Sequence, residues 1–247
     1  MILSLVASES RALIEPASWR DLKNLHQLEI ICFPKDAWPL FDLLGVLTLP
    51  NVVRLRAMLD RSIYDRWLSR SLQGYICISH AVDRYQGELG GRTNPVWVVY
   101  NGLDLAEFDQ LPDKATIRSQ ICTEFGFAPT DLIVGCVGRL VPWKGQHIFL
   151  RALGELRLRY PHLRGLIIGA PEIGGQQYAQ ELHNLTQKLD LTEMVTFASF
   201  RSDVPYLLRG MDLMVHASTS PEPFGRVIIE GMAAGTAMIA TDAGAVP

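Results

Sequence analysis

Two pairs of charged residues in the second half of the chain could act together on one ligand. Glu222 lies in the proline-containing segment SPEPFG, and Glu230 follows eight positions later inside an apolar run of helical pattern. Arg139 and Lys144 lie in another loop-like segment, GRLVPWKG. Two cations beside a helix start suit a diphosphate, whereas carboxylates accept hydrogen bonds from sugar hydroxyls. These residue types favour a ligand that carries both phosphate and sugar groups.

The elements that position these residues alternate regularly along the second half of the chain. Apolar runs of strand length occupy residues 132–137, 163–169, 194–199, 212–217 and 237–241. Helical patterns lie between or after them, at residues 147–160, 178–189, 204–210 and 226–235. Strands that are apolar throughout and alternate with amphipathic helices indicate a parallel sheet covered on both faces. The sequence therefore predicts a doubly wound α/β fold.

The charged residues follow two of the predicted strands. Arg139 and Lys144 come directly after the run 132–137, and Glu222 follows the run 212–217, just before a helix start near Gly225. Because ligands of open α/β sheets bind beyond the carboxyl ends of the strands, we expect these side chains to meet at one rim. Glu230, about two turns into the helix, is then placed to bind a ribose through its hydroxyls.

Structural interpretations of the same residues stay open. Arg226 and Glu230 stand four positions apart and could form a helix-surface ion pair. Arg139 and Lys144 could be solvated loop charges. His216 closes a predicted strand and could reach the cleft, but a packed histidine is the favoured interpretation, and it is not assigned as a base.

The first half of the chain is less regular. We predict a long helix over about residues 51–72, strands at 74–79 and 96–100, and a helix that begins at His80. A polar connector, in which NGLD is predicted to form a turn, covers residues 101–113. We therefore divide the chain into a partial N-terminal α/β domain, residues 1–108, and a Rossmann-like domain, residues 109–247.

Composition narrows the class of protein. The 247 residues are 48% hydrophobic and 20% charged, as in ordinary globular proteins, and the net charge of -3 disfavours a nucleic-acid partner. The four cysteines form no CxxC pair, which favours buried reduced thiols in a cytoplasmic protein over a disulfide or zinc framework.

The N-terminus does not have the pattern of a signal peptide. The apolar stretch at residues 37–50 favours core burial, with docking onto a membrane surface as the weaker interpretation.

Three segments together resemble the donor half of retaining GT-B glycosyltransferases. They are VGRLVPWKG, EPFGRVIIEGMAAG and MIATDAGAVP, and the similarity extends over about residues 75–247. The match is to the bacterial group 1 type, family 4, whose signature is the E-x7-E pattern formed by Glu222 and Glu230. SHAVDRY and VVYNGLD also resemble the segment between the two domains of that family.

The resemblance implies a role for each matching position. Arg139 and Lys144 neutralise the donor diphosphate, and Glu222 contacts hydroxyls of the donor sugar. These three form the catalytic set, with no metal required, because fixed cations and a helix N-terminus stabilise the charge of the departing diphosphate. Glu230 binds the ribose. The other implied donor-binding residues are Gly138, Gly169, Phe200, Arg201, Phe224, Gly225 and Arg226.

The chain also departs from the family pattern. It shows no glycine-rich strand–loop–helix near Met1 and stops at DAGAVP, so we expect it to be shortened at both ends. Ala237 stands where proline is usual, and Ala245 where the second glycine of a pair is usual.

Two functions follow from the resemblance. The first is transfer of a hexose from a UDP- or GDP-sugar to a carbohydrate or lipid-linked acceptor, with retention of anomeric configuration. The second is a module that binds a nucleotide sugar without transferring it. An NAD-dependent dehydrogenase shares the fold, but no GxGxxG motif follows a predicted strand.

Overall fold

The computed structural model describes residues 52–55, 74–88, 95–172 and 174–247, and its contacts divide the chain into two units between Gly102 and Leu103. This division lies a few residues before the boundary placed at residue 108 from the sequence. The difference arises because Phe108 is buried in the core of the second unit. The acceptor-side and donor-side roles of the two units stay predictions.

The described part of the first unit contains three parallel strands. They are β1 (Val52–Leu55), β2 (Gly74–Cys77) and β3 (Val96–Val98), hydrogen-bonded in the order β1-β2-β3. Helix α1 (His80–Glu88) follows β2 and leads toward β3. The predicted helix over residues 51–72 is wrong at its start, because β1 pairs with β2 along its whole length. Two adjacent β-branched valines, Val52 and Val53, favour this extended conformation.

Some sequence-based expectations fall outside the described residues. They concern the N-terminus, the apolar stretch at 37–50, Cys32 and most of the predicted helix at 51–72. In the ranges that the structure does describe, no helix has the length and apolar character needed to cross a membrane. Cys122 and Cys136 are buried free thiols, as predicted, and Cys77 is buried as well.

The second unit is built on a five-stranded parallel sheet with the order β6-β5-β4-β7-β8. Its strands are β4 (Leu132–Val137), β5 (Leu163–Ile168), β6 (Val195–Phe197), β7 (Leu213–His216) and β8 (Ala237–Ala240). Each lies within a run predicted as a strand, and every pairing is parallel. The predicted parallel sheet is confirmed.

Seven helical segments are described in this unit. They are α2 (Ala106–Asp109), α3 (Lys114–Phe125), a 3-10 turn (Pro142–Lys144), α4 (Gln146–Leu156), α5 (Gln176–Lys188), α6 (Val204–Gly210) and α7 (Arg226–Ala233). Helix α2 lies inside the segment predicted as a connector, and α3 was not predicted. Asp113 caps α3 by accepting a hydrogen bond from the Thr116 amide at 3.0 Å, and Gly126 ends it in a left-handed conformation.

Two apolar cores cover the two faces of this sheet. On β4, Ile133 belongs to the core shared with α3 and α6, whereas Val134 and Cys136 belong to the core shared with α4 and α5. Successive side chains of a strand point to opposite faces, so this alternation shows that both faces are buried. The sheet is doubly wound, as the sequence predicts.

The turn after β4 is fixed against the end of β7 by a glycine. Gly145 adopts a φ of +73°, and a Cβ atom added there would lie 1.8 Å from the Ala217 carbonyl oxygen. No side chain fits in that space. The 3-10 turn and the end of β7 are therefore in direct backbone contact.

This approach predicts that Gly145→Ala destabilises the fold far more than Gly126→Ala does. Gly126 has nearly the same φ, +72°, but a Cβ there would have nothing within 4 Å, so it is a matched control for backbone strain alone. We expect about 1–2 kcal/mol of lost stability at Gly126 and at least about 2 kcal/mol more at Gly145. Urea unfolding of both variants measures the difference, and equal losses would contradict the close approach.

Candidate functional site

The site lies where the winding direction of the second unit reverses. The chain runs outward from β4 to β5 and β6, then returns to place β7 on the other side of β4. The loops that leave β4 and β7 therefore open at the same rim and diverge in opposite directions. This is the position at which open α/β sheets bind their ligands.

The loop after β4 is held by buried polar contacts and by a neighbouring loop. The side chain of Gln146 is fully buried, and its Nε2 atom donates a hydrogen bond to the Arg139 carbonyl oxygen at 2.8 Å. A Cβ atom on Gly169, after β5, would lie 1.9 Å from the Gly138 carbonyl oxygen. The predicted donor-binding glycines Gly138 and Gly169 thus let two strand-end loops touch directly.

The loop after β7 is tied to the loop after β4 and to the C-terminal segment. The Thr219 amide donates to the Trp143 carbonyl oxygen at 2.8 Å. The Ala245 amide donates to the Glu222 carbonyl oxygen at 2.9 Å. Gly225, with a φ of +80°, ends this loop and starts α7. Backbone hydrogen bonds on two sides therefore hold this loop, independently of the contacts that the Glu222 side chain makes.

The Glu222 carboxylate is the centre of the site. Its Oε1 atom forms an ion pair with the Lys144 ammonium, accepts a hydrogen bond from the Ser218 hydroxyl at 2.7 Å and lies 2.9 Å from His216 Nε2. Glu222 is only 4% exposed. Lys144 comes from the loop after β4, while the other partners come from β7 and its loop. The predicted meeting of Lys144 and Glu222 at one rim is present as a direct contact.

These contacts determine the charge of Glu222. Burial alone raises the pKa of this carboxyl, but the hydrogen bonds from His216, Lys144 and Ser218, together with the Lys144 charge, outweigh it and lower the pKa to about 2. All three donors converge on Oε1, and within the described residues no donor contacts Oε2. The site thus holds an ionised carboxylate with one oxygen saturated and the other available to accept hydrogen bonds.

Arg139, the other predicted cation, has a different partner. Its guanidinium forms an ion pair with Glu172, in the loop after β5, and the two side chains are 60% and 45% exposed. Arg139 still follows β4 at the same rim. An exposed pair of this kind contributes at most about 1 kcal/mol, so it can be exchanged for another anion at little cost.

Glu230 lies on α7 and pairs with Arg226. The Arg226 Nε atom donates to Glu230 Oε1 at 2.8 Å, so the helix ion pair considered as an alternative is formed in the structure. The Glu230 side chain is only 15% exposed. Burial raises the pKa of this carboxyl, although Arg226 opposes the shift. A ribose that binds Glu230 would therefore meet a carboxylate that already has a partner.

The remaining predicted residues lie at several strand and helix ends. Phe224 is half-buried in the loop before α7, and Phe200, which follows β6, is 75% exposed. Arg201 forms ion pairs with Glu124 of α3 and Asp203. Its guanidinium thus joins the loop after β6 to a neighbouring helix, a structural contact that the sequence pattern does not indicate.

Two residues of the site were not assigned to it from the sequence. His216 was considered able to reach the cleft, but a packed histidine was favoured, and Ser218 was not considered. The available signal was their position: a histidine closing a strand, a serine two residues later and a glutamate four residues after that. Because β7 ends at His216, the chain can fold back and bring all three side chains together.

The charge of Glu222 predicts a pH dependence of stability. Its pKa is about 2 in the folded protein, against an ordinary value of 4.5, so the unfolded chain binds the proton first as the pH falls. The stabilisation is complete above about pH 5 and is lost toward pH 2. We expect Glu222 to account for about 2 kcal/mol of lost unfolding free energy between pH 5 and pH 3. Denaturant unfolding of the wild type and Glu222→Gln across this range tests it, because the variant lacks this component. Parallel curves would contradict the assignment.

A sequence model of the family described as glycosyl transferases group 1 matches residues 118–247, more than half of the chain. The chain is 36% identical over 159 residues to a D-inositol 3-phosphate glycosyltransferase of Nocardia farcinica, and 33% identical over 166 residues to that of Rhodococcus jostii. These alignments cover 63% and 66% of this chain but 34% and 35% of the relatives. The chain thus spans about a third of their length.

Solved structures agree with this match. The crystal structure of Anabaena HepE in complex with UDP and glucose superposes with a TM-score of 0.75 and 31% identity, covering 83% of this chain and 57% of HepE. Sucrose-phosphate synthase of Thermosynechococcus elongatus, at 18% identity, superposes with a TM-score of 0.69 over 83% of this chain and 53% of its own, which shows the fold alone. The predicted GT-B-like fold is confirmed, and the chain belongs to the family of glycosyl transferases group 1.

Proposed function

We propose that this protein transfers a hexose from a UDP- or GDP-sugar to a carbohydrate or lipid-linked acceptor in the cytoplasm, with retention of anomeric configuration. The observation that carries the proposal is the Glu222 carboxylate, ionised and buried at the sheet's switch point in direct contact with Lys144. An ionised carboxylate beside a lysine ammonium suits a ligand in which sugar hydroxyls adjoin a diphosphate.

Glu222 is proposed to bind the donor sugar through Oε2. Oε1 is saturated by its three donors, so Oε2 is the oxygen left to accept hydrogen bonds. A carboxylate that is held in place before the donor binds needs no reorganisation when the sugar develops positive charge during transfer. Its own negative charge then favours the transition state over the ground state.

The leaving group is proposed to be stabilised by the protein's own positive charge, without a metal ion. A lysine ammonium has three N–H donors, and in Lys144 one of these is directed at Glu222. Arg139 lies in an exposed pair that a diphosphate can replace. The first turn of α7 adds backbone amides and the positive end of the helix dipole next to Glu222.

The nucleoside is proposed to lie toward the loops after β5 and β6. Glu230 would exchange its hydrogen bond from Arg226 for the ribose hydroxyls, which frees the Arg226 guanidinium for the phosphate end of the donor. Phe224 and Gly225 line the sugar and phosphate end. Gly169, Phe200 and Arg201 flank the base, where the exposed Phe200 ring offers a surface for stacking.

The likeness to HepE supports a UDP-sugar as the donor to test first. HepE has been crystallised with UDP, with UDP and glucose, and with UDP-glucose. Retention follows from the family resemblance, and no side chain is proposed as a covalent nucleophile.

Donor turnover is predicted to depend on Glu222. We expect nucleoside diphosphate release from UDP-glucose or GDP-mannose to fall about 100-fold in Glu222→Gln, since this change removes the charge that favours the transition state. Glu155→Gln, which alters an exposed glutamate on α4, is the matched control and should leave the rate unchanged. Release that is equally fast in Glu222→Gln would contradict the proposed role. Tight binding without any release by the wild type would instead identify a nucleotide-sugar-binding module.

Affinity for the nucleoside diphosphate is predicted to depend on Lys144. Loss of one charged hydrogen bond in Lys144→Met should weaken binding of UDP about 10- to 100-fold, as measured by calorimetry. Lys188→Met, at an exposed lysine on α5, controls for the change of net charge. Equal weakening in both variants would show that Lys144 acts only through the protein's overall charge.

A further inference from the structure

The imidazole of His216 has an unusual set of contacts. His216 is 4% exposed, and its Nε2 atom lies 2.9 Å from Glu222 Oε1 and 3.2 Å from the Ser218 hydroxyl. Its Nδ1 atom is also buried but has no hydrogen-bond partner in the described part of the protein. The polar contacts of this ring are therefore confined to Glu222 and Ser218.

These contacts define the tautomer of His216. An ionised carboxylate only accepts hydrogen bonds, so Nε2 must carry the hydrogen that faces Glu222. The geometry thus requires an imidazole that donates from Nε2.

Burying a histidine at this position has an unfavourable free energy unless its ring donates a hydrogen bond to Glu222. The unpaired Nδ1 atom carries an unfavourable desolvation that an apolar side chain of similar size would avoid. Packing alone therefore does not account for the imidazole, whereas donation from Nε2 to Glu222 does. Ser218 complements it, because its single hydroxyl hydrogen is directed at the same Oε1 atom.

We propose that His216 is a positioning residue that, together with Ser218, keeps the Glu222 carboxylate ionised and fixed while Lys144 turns toward the donor diphosphate. This inference rests on the proposed function. A diphosphate attracts the Lys144 ammonium and weakens its contact with Glu222. The Ser218 hydroxyl carries no charge for an anion to attract, and the buried His216 ring is held at the end of β7. They therefore remain on Oε1 and leave Oε2 directed at the sugar throughout the exchange.

Two variants of His216 separate positioning from packing. His216→Leu keeps an apolar group of similar size but removes the donor, whereas His216→Gln can place an amide N–H near the position of Nε2. We expect kcat/KM for the nucleotide sugar to fall about 10- to 100-fold in His216→Leu and to recover most of this loss in His216→Gln. The affinity for UDP alone should stay within about twofold of the wild type in both variants, since it depends on Lys144 rather than on Glu222. Equal damage in both variants, or a parallel loss of UDP affinity and thermal stability, would overturn the proposal.

A measurement without any donor distinguishes failure of this inference from failure of the proposed function. Imidazole ¹⁵N chemical shifts of the ligand-free protein, assigned with the His216→Gln variant, report which ring nitrogen carries hydrogen. We expect hydrogen on Nε2 of His216, with a changed Nε2 shift in Glu222→Gln. An Nε2 atom that carries no hydrogen would overturn the inference even if transfer is observed. Failure of the wild type to bind any nucleotide sugar would reject the proposed function, and with it the role in the Lys144 exchange, while the NMR result would still decide the contact with Glu222.

Discussion

The contact between Lys144 and Glu222 joins the two loops on which the site depends. One side chain follows β4 and the other follows β7, so the ion pair spans the point where the winding of the sheet reverses. Both partners are largely buried, and a buried charge without its partner is strongly unfavourable. The loops must therefore stay together for either charge to be tolerated. Within this pair, the charges of Lys144 and Glu222 balance each other.

That balance would let one carboxylate serve the proposed donor, which is itself anionic. A lone buried glutamate would repel a diphosphate and would tend to take up a proton. In this site, Lys144 offsets the charge, while His216 and Ser218 supply hydrogen bonds that do not depend on it. Arg139 is held differently, in an exposed pair with Glu172. The two cations thus differ in exposure: Lys144 is largely buried inside the site, whereas Arg139 lies exposed at its edge.

The sequence predicted the parts of this arrangement that depend on periodicity and topology. The apolar runs at residues 132–137 and 212–217 contain strands, and the parallel pairing of β4 with β7 brings Lys144 to Glu222. Side-chain partners were harder to predict, because an ion pair between distant residues depends on which loops and helices meet in the fold. The pairing of Arg139 with Glu172 and that of Arg201 with Glu124 are of this kind. Residues 52–55 were predicted as helix but form a strand. The conformation of such a short segment depends on pairing with a neighbouring strand, here β2.

The glycine contact between Gly145 and Ala217 limits how this architecture can diverge. With no room for even a methyl group, no side chain can be introduced between the lysine-bearing turn and the end of β7. Under the proposed function, this turn carries the cation that binds phosphate, whereas Phe200, which stands largely in solvent, lies beside the base. Substitutions that alter base preference can then accumulate around Phe200 without disturbing the contact between Gly145 and Ala217, so phosphate binding and base selectivity can evolve on separate parts of one sheet.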